Sequence, residues 1–237
     1  MIGNPVDYDR KFKDKIPRFP AKLDIELRRY LNLIPGKNVL DLGIGQGRNS
    51  IPLAKLDFNV TGVDYSTKCL NICRENCPNL NLIQSDIRKF NIENDKYDLI
   101  LSTYVLHFLH KDDSHNIINS IKENLKINGL VYIGVFSKED PKFNKHLNSS
   151  DMELLDNNIF RNKLNDTYIS FFTKDEILKL FKDFKTLYVS QEYSLEQNND
   201  SPHYAGIIKY IGMKIENIIK RNDLYEWFNW SMFWFFE

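Results

Sequence analysis

Three glycines alternate behind an aspartate in Asp41-Leu42-Gly43-Ile44-Gly45-Gln46-Gly47, and Arg48-Asn49-Ser50 follows at once. Glycine accepts the left-handed backbone of a sharp turn, and a loop without side chains lets the main chain come close to a ligand. The stretch reads as a nucleotide-type cradle between a strand and a helix. A dinucleotide fingerprint, G-x-G-x-x-G, needs its third glycine inside that helix, where this chain has Arg48, so an NAD-dependent oxidoreductase is the weaker alternative. A carboxylate at Asp41 would repel a pyrophosphate but accept hydrogen bonds from an ammonium, which favours a zwitterionic, phosphate-free cofactor. Asp64 follows twenty-three residues later, at the end of Asn59-Val60-Thr61-Gly62-Val63, placed to take both ribose hydroxyls of an adenosine. Asp86 comes twenty-two residues after that, placed to accept from an exocyclic adenine amine with Ile87 against the base. Singly, each acid reads as a turn or cap residue; three on successive strand ends, with the glycines, do not.

These residues need a sheet to hold them. Apolar runs at Asn38–Leu42, Phe58–Val63, Leu80–Gln84, Tyr97–Thr103 and Gly129–Phe136 alternate with helical patterns at Arg48–Leu56, Ser66–Asn76 and Asp112–Lys126, the order of βαβ units around a parallel sheet. Only the Asp86–Lys96 crossover has a weak helical pattern. Leu23, Leu27, Tyr30, Leu31 and Ile34 predict a lead-in helix ending near Pro35-Gly36. The polar segment 144–165 reads as an insertion over the carboxyl ends of the strands. Thr173 and Glu176 form a capping box that opens a helix through Phe181, and Phe184–Leu195 with His203–Lys214 predict a terminal hairpin around polar Glu196–Pro202. The fold class is α/β in a single domain: lead-in 1–36, cofactor-binding core 37–136, substrate-side insertion and hairpin 137–214, aromatic tail 215–237.

Residues 38–136 resemble the core of class I S-adenosylmethionine-dependent methyltransferases, whose first motif matches Asp41 to Gly47, whose ribose-binding acid matches Asp64 and whose adenine-side acid matches Asp86. Gly45-Gln46-Gly47-Arg48-Asn49-Ser50, followed by Leu53-Ala54, is similar to the G-x-G-R-N-S stretch of tellurite-resistance and related small-molecule methyltransferases, although Ile44 and Gln46 stand where that subgroup often has Cys and Asn. The resemblance implies a Rossmann-like, seven-stranded, mostly parallel sheet with helices on both faces and an antiparallel final strand. It also implies S-adenosylmethionine bound by Asp41, Gly43, Ile44, Gly45, Gly47, Asn49, Asp64, Tyr65, Ser66, Asp86, Ile87 and Ser102, with S-adenosylhomocysteine as product.

Methyltransferases acting on planar amino groups resemble one another in an Asn/Asp-Pro-Pro-Tyr/Phe motif after the fourth strand; this chain has Ser102-Thr103-Tyr104, which disfavours such acceptors. His107 is a candidate general base, weighed against a packed histidine; Tyr104 and Tyr8 are further catalytic candidates, and His203 a substrate contact. A soft nucleophile with a free lone pair, tellurite-like or thiol-like, needs no base. Arg48 is expected to cap the helix or pair with Asp41. Cys69, Cys73 and Cys77 follow one helix face and are expected to pack there without a metal. Thirty-two basic against thirty-two acidic residues leave no field for nucleic acid, and no eighteen-residue apolar run offers a membrane span. A cytoplasmic protein with free thiols is expected. The segment from Leu224 to Phe236 holds all three tryptophans and predicts docking on the chain itself or a homodimer contact. A non-catalytic S-adenosylmethionine sensor is the remaining alternative.

Overall fold

The structure is a computed structural model that describes residues 21–198 and 201–216, without the side chains of 194–198 and 201–203. Tyr8, the side chain of His203 and the tryptophan-rich segment lie outside the described residues.

A seven-stranded sheet forms from β1 (Asn38–Leu42), β2 (Asn59–Asp64), β3 (Asn81–Gln84), β4 (Leu99–Thr103), β5 (Leu130–Phe136), β9 (Phe184–Asn198) and β10 (Ser201–Lys214), in the order β3-β2-β1-β4-β5-β10-β9. The first five strands are parallel, and β10 runs antiparallel to both neighbours. Parallel strands buried on both faces read as continuous apolar runs, and β5 is buried at every position. The pleat sends alternate residues to opposite cores. Leu40, Leu42, Ile100, Val131 and Ile133 pack with Ile117, Ile118 and Ile121 of α4 (Lys111–Asn124) and Ile177 of α6 (Lys174–Leu180). Val39, Leu99, Leu101 and Tyr132 pack on the other face with Leu27 of α1 (Ile25–Arg28), Ile51 and Leu53 of α2 (Ser50–Ala54) and Leu70 and Cys73 of α3 (Thr67–Asn76). The capping box is present, with Thr173 Oγ1 accepting from the Glu176 amide at 3.2 Å and Glu176 returning the bond to the Thr173 amide at 3.1 Å.

Four differences from the sequence expectations have local causes. The lead-in is one α turn followed by a 3-10 turn at Leu31–Leu33, although Leu23, Leu27, Tyr30, Leu31 and Ile34 all meet the core as their spacing requires. The 86–96 crossover has no helix, only a turn in which the Lys89 and Phe90 amides donate to the Asp86 carbonyl. The segment after β5 folds as α5 (Pro141–Leu147) and a second antiparallel sheet, β6 (Met152–Asp156), β7 (Ile159–Asn162) and β8 (Thr167–Ser170). Four of the five β6 residues are exposed, so no apolar alternation announced it. This sheet presses Phe160 and Phe171 towards Phe136, the last residue of β5. The hairpin strands are also longer than expected and take in most of the polar 196–202 stretch, because an edge ladder needs only main-chain partners. Among the described residues no helix is long and apolar enough to cross a membrane.

One close approach ties the sheet to the glycine loop. A Cβ at Gly62 on β2 would overlap the Ile44 side chain, so the loop settles on β2 only where β2 has no side chain. Gly62→Ala is expected to lose about 1–3 kcal/mol of stability to overpacking, read as a lower urea midpoint; an unchanged midpoint would contradict the close contact.

Candidate active site

The loop leaves β1 and turns through three left-handed glycines, with φ of +78° at Gly43, +54° at Gly45 and +78° at Gly47. Its amides fasten it to β2: Gly43 and Ile44 donate to the Val63 carbonyl at 2.8 and 3.1 Å, and Gly45 donates to Asp64 Oδ2 at 2.9 Å. The other Asp64 oxygen accepts from the Ser66 amide at 2.9 Å, and Ser66 caps α3 by accepting from the Cys69 amide. One carboxylate thus spans the loop and the start of the next helix. Below the loop, the Cys73 thiol donates to the Gly45 carbonyl at 3.2 Å. Above it, a Cβ on Gly45 would meet nothing closer than the Gly43 carbonyl at 4.0 Å. The backbone there faces open space at a φ that L side chains rarely adopt, as a cradle for a close ligand requires.

Asp41 is buried beneath this turn. Ser50 Oγ donates to its Oδ2 at 2.6 Å, while Oδ1 has no hydrogen-bond partner among the described residues. Burial pushes the Asp41 carboxyl up to about 7; the Ser50 bond works against the shift and the nearby Asp64 charge adds to it. Ser50 follows the glycine motif directly but carried no role in the sequence; as the first residue of α2 it is the side chain that reaches back to β1.

Arg48 does not pair with Asp41. Asp41 is turned inward under Ser50, whereas Arg48 leaves the loop towards the lead-in, where Nη2 meets Asp24 Oδ1 at 2.7 Å and the guanidinium lies 5.6 Å from the Tyr104 ring. Asp24 also accepts from Asn49 Nδ2 at 3.2 Å and from the Tyr132 hydroxyl at 3.0 Å, and its amide donates to Asn49 Oδ1 at 2.9 Å. The Asn49 amide is therefore engaged on the lead-in side. Neither Asp24 nor Tyr132 stood out in the sequence; the one available signal was a carboxylate next to the apolar stripe of the lead-in. Burial, then the Asp24 charge, push the Tyr132 phenol well up. Close by on the same sheet face, the buried Lys209 ammonium sits 3.2 Å from Glu26 and 2.6 Å from Glu192.

The remaining expected residues lie along the same carboxyl edge. Asp86 and Ile87 follow β3, which is tied to β2 by the Ser85 amide donating to the Asp64 carbonyl at 3.0 Å. Ser102 is buried in β4, and its hydroxyl has no hydrogen-bond partner among the described residues. Tyr104 stands at φ +61°, donates its amide to the Gly134 carbonyl, and precedes Val105, which lies against Gly43. Such a φ on a bulky residue is strained and turns the chain sharply as it leaves β4. His107 is enclosed. Its ring stacks on Phe136 at 3.6 Å, both nitrogens lack partners among the described residues, and burial, reinforced by the Lys142 charge, holds it well below the usual histidine range. Cys69 and Cys73 are buried along α3 with Cys77 at its end, as their spacing required.

Residues 39–129 match the model of the family described as "Methyltransferase domain". Over 107 residues the chain is 36% identical to the probable S-adenosyl-L-methionine-dependent methyltransferase TehB of Haemophilus influenzae, an alignment covering 43% of this chain and 37% of TehB. It is 32% identical over 129 residues to the ubiquinone biosynthesis O-methyltransferase of Actinobacillus pleuropneumoniae, covering 50% of this chain and 53% of that enzyme. The chain thus spans about a third to a half of the length of these curated relatives. Among solved structures, TehB from Haemophilus influenzae superposes with a TM-score of 0.62 at 21% identity, covering 87% of this chain and 65% of TehB. The Burkholderia thailandensis 1,6-didemethyltoxoflavin-N1-methyltransferase, solved with S-adenosylhomocysteine bound, gives 0.56 at 16% identity, over 91% and 92% of the two chains. At these identities the structural likeness speaks for the fold alone. Residues 39–129 thus carry a methyltransferase-domain match, and over this stretch the chain is similar to S-adenosylmethionine-dependent methyltransferases.

Proposed function

We propose that this chain transfers the methyl group of S-adenosylmethionine to a small-molecule acceptor, and that the acceptor is a soft nucleophile of thiol-like or tellurite-like character. The observation that carries the cofactor half is the open left-handed turn at Gly45, joined by its own amide to the carboxylate at the end of β2. The unpaired Asp41 Oδ1 and the open space above Gly45 suit an ammonium-bearing ligand that comes close to backbone. Asp64, with Tyr65 and Ser66, would take the ribose; Asp86 and Ile87 the adenine; Gly43, Ile44, Gly45, Gly47 and Asp41 the aminoacyl end. Asn49 would act through Asp24 rather than by contact, and Ser102 would lie beneath the reacting groups. When bound, the sulfonium supplies an already activated methyl group. The chain's own task is to hold a nucleophile in line and keep water out, and proximity supplies most of the barrier reduction.

The soft-nucleophile half rests on His107. Its imidazole is buried between Phe108 and Phe136, which suits packing better than proton transfer to an acceptor from solvent. An acceptor with a free lone pair needs no base there. A hydroxyl acceptor is the second reading, favoured by the likeness to the ubiquinone biosynthesis O-methyltransferase; Tyr104 and Tyr8 are then the candidate catalytic hydroxyls. We place the chain in the cytoplasm, and we assign His203 to the acceptor side and the tryptophan-rich segment to docking on the chain itself or to a homodimer contact. An acceptor screen that follows S-adenosylhomocysteine release decides the substrate class: turnover with thiol, selenite or tellurite compounds supports the soft nucleophile, turnover confined to phenols supports the second reading, and cofactor binding without turnover on any acceptor supports a sensor.

Asp64→Ala is expected to weaken S-adenosylhomocysteine binding by about 1.5–3 kcal/mol in calorimetry, the scale of charge-assisted hydrogen bonds, and unchanged affinity would remove the ribose role. Asp41 gives a pH signature. Its folded-state pKa, about 7, lies above its unfolded value, so the stability it contributes is fully present below the ordinary carboxylate range and is lost as pH rises through 7. A cationic ligand prefers the ionised form, so affinity is expected to rise about tenfold from pH 6 to pH 8. Asp41→Asn is expected to flatten both dependences; a pH-dependent affinity that survives in the variant would assign the effect elsewhere.

A further inference from the structure

Asp86 is held in place by the residue two positions further on. Its Oδ1 accepts from the Arg88 amide at 3.0 Å and from Arg88 Nε at 3.1 Å, and its Oδ2 accepts from Nε at 3.0 Å and Nη2 at 2.5 Å. The far side of the guanidinium, Nη1, lies 3.6 Å from Asp113 Oδ2 on α4. The turn beneath is fixed as well, with Ile87 and Ile92 buried and the Lys89 and Phe90 amides donating to the Asp86 carbonyl. With only about a fifth to a quarter of either side chain exposed, the pair is more constrained than a surface ion pair. Burial works to raise the Asp86 carboxyl, but the Arg88 hydrogen bonds and charge outweigh it and hold the group below the usual range, hence ionised.

A carboxylate offers about four acceptor positions. Three Arg88 N–H groups occupy the carboxylate, the single Nε hydrogen being shared between Oδ1 and Oδ2, which leaves about one acceptor position for a ligand. A mobile aspartate faced with a base carrying a carbonyl in place of an amine can turn away at little cost. A locked one cannot, and must oppose the two oxygens.

We propose that Arg88 is the positioning residue for base selection: by locking the Asp86 carboxylate it makes the crevice prefer a purine that bears an exocyclic amine over one that bears a carbonyl at that place. The proposal rests on the reading of the crevice as an adenosyl site. It is tested by calorimetric titration of the full chain with S-adenosylhomocysteine and with S-inosylhomocysteine, which differ at C6, amine against carbonyl, and in the proton the inosyl base carries on N1; the N1 difference is common to wild type and variants, so the change in preference between them reads the Arg88 contribution. The wild-type chain is expected to favour the adenosyl compound about tenfold, the scale of one charge-assisted hydrogen bond, and Arg88→Gln to reduce the preference to about twofold, chiefly by raising the inosyl affinity as the carboxylate becomes free to turn away. Arg88→Lys keeps the charge without the fork and is expected to lose most of the preference too, so it serves if the Gln variant does not fold. A purely structural role would weaken both compounds alike and keep their ratio. A retained tenfold preference in the variants, with the wild type discriminating, overturns the Arg88 proposal alone; a wild-type chain without any preference overturns the adenosyl reading together with it.

Discussion

The Asp64 carboxylate ties together two pieces of chain that would otherwise move independently. One oxygen holds the Gly45 amide at the middle of the loop, and the other holds the Ser66 amide at the start of α3. A loop with three left-handed glycines has more freedom to lose on folding than almost any other sequence, so its shape must be imposed from outside. The Val63 carbonyl, Asp64 and the Cys73 thiol impose it, all from β2 and the helix that follows. Gly62 belongs to the same constraint, because its missing side chain lets Ile44 seat the loop on the strand.

Buried charge is distributed unevenly around this loop. Asp41 sits beneath it with half its hydrogen-bonding capacity unused and a proton affinity raised into the neutral range. Asp24, by contrast, accepts from Arg48, Asn49 and the Tyr132 hydroxyl, which ties the lead-in to the exit of the loop. The first arrangement leaves something for a ligand to satisfy; the second is complete within the chain. A satisfied network rigidifies, and an unsatisfied buried group costs free energy until it is paired. The contrast separates a closed network from a buried carboxylate with an acceptor position to spare.

The parallel half of the sheet was legible because buried strands leave unbroken apolar runs and their helices leave a helical period; β1 matched residue for residue. So was the gathering of Asp41, Asp64 and Asp86 at neighbouring strand ends, since chain order fixes it once the strands alternate with crossovers. The second sheet was not legible, because β6 lies exposed and its stabilisation comes from main-chain pairing and from two phenylalanines packed at a distance in sequence. The partner of Arg48 was also out of reach. Which carboxylate a long side chain meets depends on where a lead-in residue twenty-four positions earlier crosses the loop, and spacing does not encode that.

The central claim is that the crevice at the carboxyl edge of β1 and β2 accepts an adenosyl sulfonium and refuses a pyrophosphate. It is tested most directly by titrating the purified chain in parallel with S-adenosylmethionine and NADH and following the heat of binding. Saturable binding of S-adenosylmethionine with no heat from NADH is expected; saturable binding of NADH, with S-adenosylmethionine inert, would contradict the account at its root.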